Sequence, residues 1–220
     1  MKKIYQHCVL IILSLCTYSI AAAQPFYEDI QAFKKQDSIA PPPTQAILFV
    51  GSSSFTKWTD VQNYFPHFAI VNRGFGGSSI SDVIRYADDI IFPYKPKQIV
   101  IYCGENDLAG ADTVTGKMVY QRFVQLFNLI RNKMPGVPVA FISLKPSPSR
   151  WQLKDKMITA NELIKKYLRT KKKTNFIDVY HKMLAADGTP MKEIFIEDNL
   201  HMNAKGYAIW QKIIAPYLKK

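Results

Sequence analysis

The chain has 220 residues, of which 48% are hydrophobic and 21% charged, and a formal net charge of +12. This balance excludes a disordered polyelectrolyte, and the length suits one domain with a sizeable core. Cysteine occurs only at Cys8, Cys16 and Cys103, which excludes a disulfide framework or a cysteine metal cluster in the body of the chain.

At the N-terminus Lys2 and Lys3 precede an apolar stretch, 9–15 with Ile20, and then Ala21, Ala22 and Ala23. That is the layout of a secretory signal peptide spanning 1–23, with cleavage expected after Ala23. The apolar stretch is short for a bilayer span of roughly 20 residues, so stable membrane insertion is not expected. The expected product is a domain over 24–220, exported to the periplasm or beyond. A lipoprotein anchored through Cys16 is the alternative, although Leu15 stands where a small residue belongs. Cys103, in the apolar run 99–103, is expected to be a buried structural thiol.

From there the elements alternate. Residues 26–40 carry Phe26, Ile30 and Phe33 at helical spacing. The run 46–50 is continuously apolar and ends at Gly51, as a strand buried on both faces does. A helix is expected over 55–64, with Phe55, Trp58, Val61 and Phe65 on one face. A second strand, 68–71, leads into N-R-G-F-G-G-S-S, and a helix follows over 80–91, with Ser81 and Asp82 suited to its start. A third strand, 98–103, ends at G-E-N-D. A long helix over 113–134 stops at Pro135 and Gly136. A fourth strand, 137–144, leads into K-P-S-P-S-R-W. A helix over 151–170, a short strand over 174–179 and a terminal helix over 204–218 complete the chain.

Strands alternating with helices call for a parallel sheet with right-handed crossovers. The expected fold is α/β: a flavodoxin-like, three-layer α/β/α domain with a five-stranded parallel sheet. The lysines at 165, 166 and 171–173, with Arg169, read as a solvated helix end favoured by the helix dipole. No nucleic-acid motif accompanies them, so no nucleic-acid partner is expected.

Four strands end in loops of small or polar residues, at 51–54, 74–79, 104–107 and 145–149. In an open parallel sheet these converge at one edge, where ligands bind. Their glycines match neither the G-x-x-x-x-G-K-[ST] spacing nor a dinucleotide fingerprint, which argues against a nucleotide site. Serine chemistry at that edge needs a base, a group to orient the base, and donors for an oxyanion. Of the histidines after the signal, His67 has no acid placed to orient it. The other two lie in Asp178-Val-Tyr-His181 and Asp198-Asn-Leu-His201, whose spacing is identical. Asp178 ends an apolar strand, where residues three apart face opposite ways, whereas Asp198 and His201 share a polar loop. Local structure therefore favours the second pair.

G-S-S-S, R-G-F-G-G, G-E-N-D-L and D-N-L-H, in that order from Gly51 to His201, resemble the SGNH hydrolases, the GDSL esterase/lipase family. F-V-G-S-S-S-F-x-x-W and K-P-S-P-S-R-W are most similar to members related to platelet-activating-factor acetylhydrolase subunits and bacterial carbohydrate acetylesterases. The resemblance implies Ser53 as nucleophile, with Ser52 in place of the usual Asp. It implies an oxyanion hole of Ser53 N–H, Gly77 N–H and the Asn106 amide, and a triad completed by Asp198 and His201. Glu105 and Asp107 are expected as loop supports. Arg150 and Trp151 are candidates for substrate binding, or for capping the next helix. No cofactor or metal is expected. The implied activity is hydrolysis of short-chain esters, acetyl above all, on a small molecule or glycan. A lysophospholipase or thioesterase, and a glycan O-acyltransferase, are the alternatives. Oligomeric state is left open.

Overall fold

The computed structural model describes residues 24–220; the expected signal peptide, with Cys8 and Cys16, lies outside the described residues. Five short strands, β1 (Ile47–Gly51), β2 (Ile70–Gly74), β3 (Gln98–Tyr102), β4 (Val139–Ile142) and β5 (Thr174–Ile177), form one sheet in the order β2-β1-β3-β4-β5. Every neighbouring pair is parallel. This is the flavodoxin-like order, with its switch point between β1 and β3.

Alternation along each strand divides the core in two. Leu48, Val50, Ile99, Ile101, Val139 and Phe141 pack on one side, against helices α1 (Tyr27–Ile39), α4 (Ile80–Arg85), α5 (Ala87–Ile90), α7 (Gly116–Lys133) and α8 (Lys154–Arg169). Ile47, Phe49, Val100, Tyr102, Ala140 and Ile142 pack on the other, against the short helices α2 (Ser53–Thr56) and α3 (Val61–Tyr64) and the terminal α9 (Ala204–Ile214). A further short helix, α6 (Glu105–Ala109), begins directly after β3 and was not expected.

Two expected helices are interrupted and a third starts late. The 55–64 segment splits into α2 and α3, and the break lets Trp58 turn inward, where it stacks on Tyr207 at 4.7 Å between ring centres. The 80–91 segment breaks at Tyr86, whose hydroxyl donates to Pro25 O at 2.7 Å and so ties the segment before α1 to this helix pair. Ser79 caps α4, not Ser81: Asp82 N–H donates to its Oγ and its own N–H donates to Asp82 Oδ2, a capping box. The segment after β4 starts as a 3-10 turn, Pro148–Leu153, before α8 begins.

Trp210 on α9 is fully buried and meets Tyr102 edge-on at 4.8 Å between ring centres. Trp210→Ala is expected to cost about 3–5 kcal/mol of stability. Urea unfolding checks this through a lowered midpoint at unchanged slope; a loss well under 1 kcal/mol would show that α9 does not anchor this side of the sheet.

Candidate active site

The three serines after β1 are not equivalent. Ser52 and Ser54 are buried and Ser53 is partly exposed. Ser52 N–H donates to Tyr102 O at 3.0 Å, and Ser54 O accepts the Tyr207 hydroxyl at 2.9 Å. The turn exists because Gly51 has φ +147° and its backbone lies hard against β3; a Cβ there would sit 1.9 Å from Tyr102 O. Ser53 is the first residue of α2, where the backbone N–H has no intrahelical acceptor.

The loop after β2 is drawn to the same place. Phe75 N–H and Ser78 Oγ both donate to Gly51 O, at 2.9 and 3.2 Å. Gly77 between them has φ +85°, a left-handed conformation that disfavours a side chain, and a Cβ there would meet only the Phe26 ring, at 3.6 Å. Among the described residues neither Ser53 N–H nor Gly77 N–H finds an acceptor. Ser78 O accepts one hydrogen of Asn106 Nδ2 at 3.0 Å and the Cys103 thiol at 3.4 Å. Cys103 is buried as expected, and burial pushes its thiol well above the ordinary range, so it is inert.

Behind Asn106 lies a buried cluster. Glu105, 4% exposed, accepts from the Tyr102 hydroxyl, from Lys145 N–H at 3.2 Å, from Lys145 Nζ at 3.2 Å and from Arg150 Nη1 at 3.4 Å. Burial, then the Glu105 charge, holds the Tyr102 hydroxyl far above its usual range, so it stays a donor. Burial lowers Lys145, and Glu105 opposes that shift. Asp107 is also a support: Oδ2 accepts Ile80 N–H at 2.9 Å and Oδ1 accepts Arg122 at 2.7 Å, while burial raises its carboxyl. Sequence reasoning missed Lys145. Its only signal is a lysine that continues an apolar strand without a turn residue.

Arg150 Nη2 donates to Asn106 Oδ1 at 2.8 Å. Trp151 lies under Lys154, whose Nζ is 5.2 Å from the ring centre. The backbone of this segment also reaches the last loop, through Ser149 N–H to Asn199 O at 3.1 Å.

Both D-x-x-H segments set the histidine Nδ1 against the aspartate carboxylate. In one, His201 Nδ1 lies 2.5 Å from Asp198 Oδ2, and Asp198 Oδ1 accepts Leu200 and His201 N–H at 2.9 Å. In the other, His181 Nδ1 lies 2.7 Å from Asp178 Oδ2. The expectation that Asp178 and His181 diverge is therefore corrected: β5 ends at Ile177, and Asp178 is already in the loop. Environment separates the two pairs. The His181 side chain is 74% exposed and that of His201 is 16% exposed. His181 borders a cavity of about 170 Å³ whose serine, Ser143, is fully buried and accepts Val179 and Tyr180 N–H. His201 Nε2 is buried and has no hydrogen-bond partner among the described residues, Ser53 Oγ included.

A five-stranded parallel sheet with these loops gathered at its carboxyl edge defines the class: an α/β protein of the SGNH hydrolase architecture. The chain belongs to the GDSL-like lipase/acylhydrolase family, whose model matches residues 37–209, and is accordingly a carboxylic ester hydrolase acting on a small-molecule ester. It is similar in fold to a Streptococcus pneumonia protein named for platelet activating factor (20% identity, TM-score 0.75, covering 87% of this chain and 92% of that one). It is also similar to a protein named as an acylhydrolase from Bacteroides fragilis (21% identity, TM-score 0.73, 86% and 95%). A third solved structure, a serine variant of an acetyl esterase with an acetate ion, aligns at 15% identity and TM-score 0.58, over 77% and 94%. No curated protein matches the chain in sequence.

Burial raises the Asp198 carboxyl, but hydrogen bonds from the His201 side chain and from the His201 and Leu200 N–H groups outweigh it and hold it at about 2. A carboxyl lowered on folding stabilises the folded state above its unfolded value, about 3.9, and loses that contribution as pH falls toward the folded value. The stability difference between wild type and Asp198→Asn, read by urea unfolding, is expected to be full above about pH 5 and to shrink steadily toward pH 2. A difference that stays constant over that range would contradict the assigned ionisation.

Proposed function

We propose that the protein is an exported serine esterase that removes short acyl groups, acetyl foremost, from carbohydrate. Ser53 Oγ attacks the ester carbonyl and passes its proton to His201 Nε2. The tetrahedral oxyanion is met by Ser53 N–H, Gly77 N–H and the remaining N–H of the Asn106 amide. Collapse expels the alcohol with a proton from His201, and water repeats the sequence to release the acid. Asp198 holds the imidazole so that its Nε2 faces the hydroxyl.

The observation that carries this mechanism is the buried, unpartnered His201 Nε2. A buried ring nitrogen without a partner costs free energy, and a proton-transfer role accounts for that cost at His201, beside the carboxylate that holds its other nitrogen. Ser53 Oγ does not hydrogen-bond His201 Nε2 in the structure, and catalytic hydrogen bonds commonly tighten only with substrate bound. The short acyl group is supported by the short loops after β1, β2, β3 and β4, with no long apolar insert among the described residues to cover a fatty chain. The acetyl esterase neighbour shares the fold. Export rests on the residues at 1–23.

Ser53→Ala and His201→Ala are each expected to lower kcat by about 10⁴-fold or more, whereas His181→Ala stays within a few-fold of wild type. Steady-state hydrolysis of p-nitrophenyl acetate by folded variants checks this, and a greater loss for His181→Ala would reverse the assignment. Across p-nitrophenyl esters of rising length, kcat/KM is expected to peak at two to four carbons. A peak at eight or more would sink the acetyl assignment, and acyl transfer to a glycan acceptor in place of hydrolysis would make the protein a transferase.

A further inference from the structure

The Asn106 amide has an oxygen end and a nitrogen end, and an oxyanion hole can use only the nitrogen end. A reversed amide would present a lone pair to the developing negative charge. Something must therefore fix which way the amide points. The Oδ1 end faces Arg150 Nη2 at 2.8 Å, and one Nδ2 hydrogen goes to Ser78 O at 3.0 Å. A guanidinium has donors and no acceptor, so it can face only the oxygen end. Ser78 O can face only the nitrogen end.

We propose that Arg150 is a positioning residue that locks the Asn106 amide with its free N–H turned toward the acyl oxygen. The proposal rests on the assignment of Asn106 as an oxyanion donor. Reversing the amide against both partners would break a charge-assisted hydrogen bond to Arg150 and set two carbonyl oxygens, those of Asn106 and Ser78, against each other. The guanidinium also polarises the amide, which makes the remaining N–H a stronger donor.

The guanidinium is itself held. Its Nη1 reaches Glu105 Oε2 at 3.4 Å, and Glu105 is kept in place by Tyr102 at the end of β3 and Lys145 in the loop after β4. Lys145 balances the Glu105 charge, so the Arg150 fork is not drawn wholly onto the carboxylate. The backbone around Arg150 is anchored on both sides, by Ser149 N–H to Asn199 O at 3.1 Å and Arg150 N–H to Ser147 O at 3.2 Å. Arg150 breaks the 3-10 turn, at φ −120°, and this break turns its side chain back toward Asn106. With one fork nitrogen on Asn106 and another on Glu105, Arg150 acts on the reaction through the amide and not as a substrate anchor.

The test is a double-mutant cycle on p-nitrophenyl acetate hydrolysis with Asn106→Ala, Arg150→Ala and the pair. Arg150→Ala is expected to lower kcat about 10- to 100-fold with KM within two-fold, and Asn106→Ala about 10²- to 10³-fold. In the Asn106→Ala background Arg150→Ala is expected to have no further effect, because the group it positions is gone. Guanidinium ion added at millimolar concentration is expected to restore part of the kcat of Arg150→Ala and none of Asn106→Ala. If Arg150→Ala does not fold, Arg150→Lys takes its place in the cycle: it keeps the charge beside Glu105 but lacks the fork, and the same coupling is expected. Independent, multiplying losses overturn the proposal and leave Asn106 its role. A raised KM at unchanged kcat also overturns it and makes Arg150 a substrate contact. An Asn106→Ala variant as fast as wild type removes the oxyanion assignment itself, and the proposal with it.

Discussion

A carboxylate almost wholly withdrawn from water must be met by donors on every side, and Glu105 sets that condition for the whole carboxyl edge of the sheet. Its donors come from β3 through Tyr102, from the loop after β4 through Lys145, and from the following turn through Arg150. Removing any one leaves charge buried without its complement. The loops after two adjacent strands are therefore bound to one point. Asn106, next in sequence, is placed by the same constraint. Tyr102 serves twice: its hydroxyl meets Glu105 and its carbonyl receives Ser52 N–H at 3.0 Å. The serine turn and the asparagine turn thus share one strand end.

The opposite requirement holds at the other side of the site. Where Glu105 is satisfied in full, His201 is satisfied at Nδ1 and left open at Nε2. The loop that carries it is fixed by Asn203, whose side chain caps α9, and by the pairing of Phe195 with Met202. A rigid frame around an unmet polar atom suits a group that must exchange a proton with a substrate-bound partner. The supports around Glu105 are fully paired, while His201 Nε2 is left without a partner among the described residues.

The strands were legible because burial on both faces leaves continuous apolar runs, which few other elements produce. The interruptions in the helices were not legible. Trp58 and Tyr86 fit a continuous helical pattern, and only their partners, Tyr207 and Pro25, distant in sequence, make the breaks favourable. Ser53 could be separated from its neighbours by motif resemblance, yet the physical separation, one partly exposed serine between two buried ones, depends on Tyr102 and Tyr207. The two D-x-x-H segments illustrate the limit well. Identical spacing sets the same Asp–His side-chain contact twice, so spacing does not distinguish them.

By itself the amino-acid sequence determined the layer order, the parallel sheet, the carboxyl-edge loops and the residue types available there, since these follow from local periodicity, turn chemistry and motif order. The tertiary structure alone decided which copies of those residues face one another. It buried Lys145 under Glu105, turned Arg150 onto Asn106, shielded His201 and left His181 in water. The physical reason is range. Periodicity and caps are set within a few residues, whereas desolvation and ion pairing depend on groups about 40 residues away along the chain, and only the packed sheet brings those together.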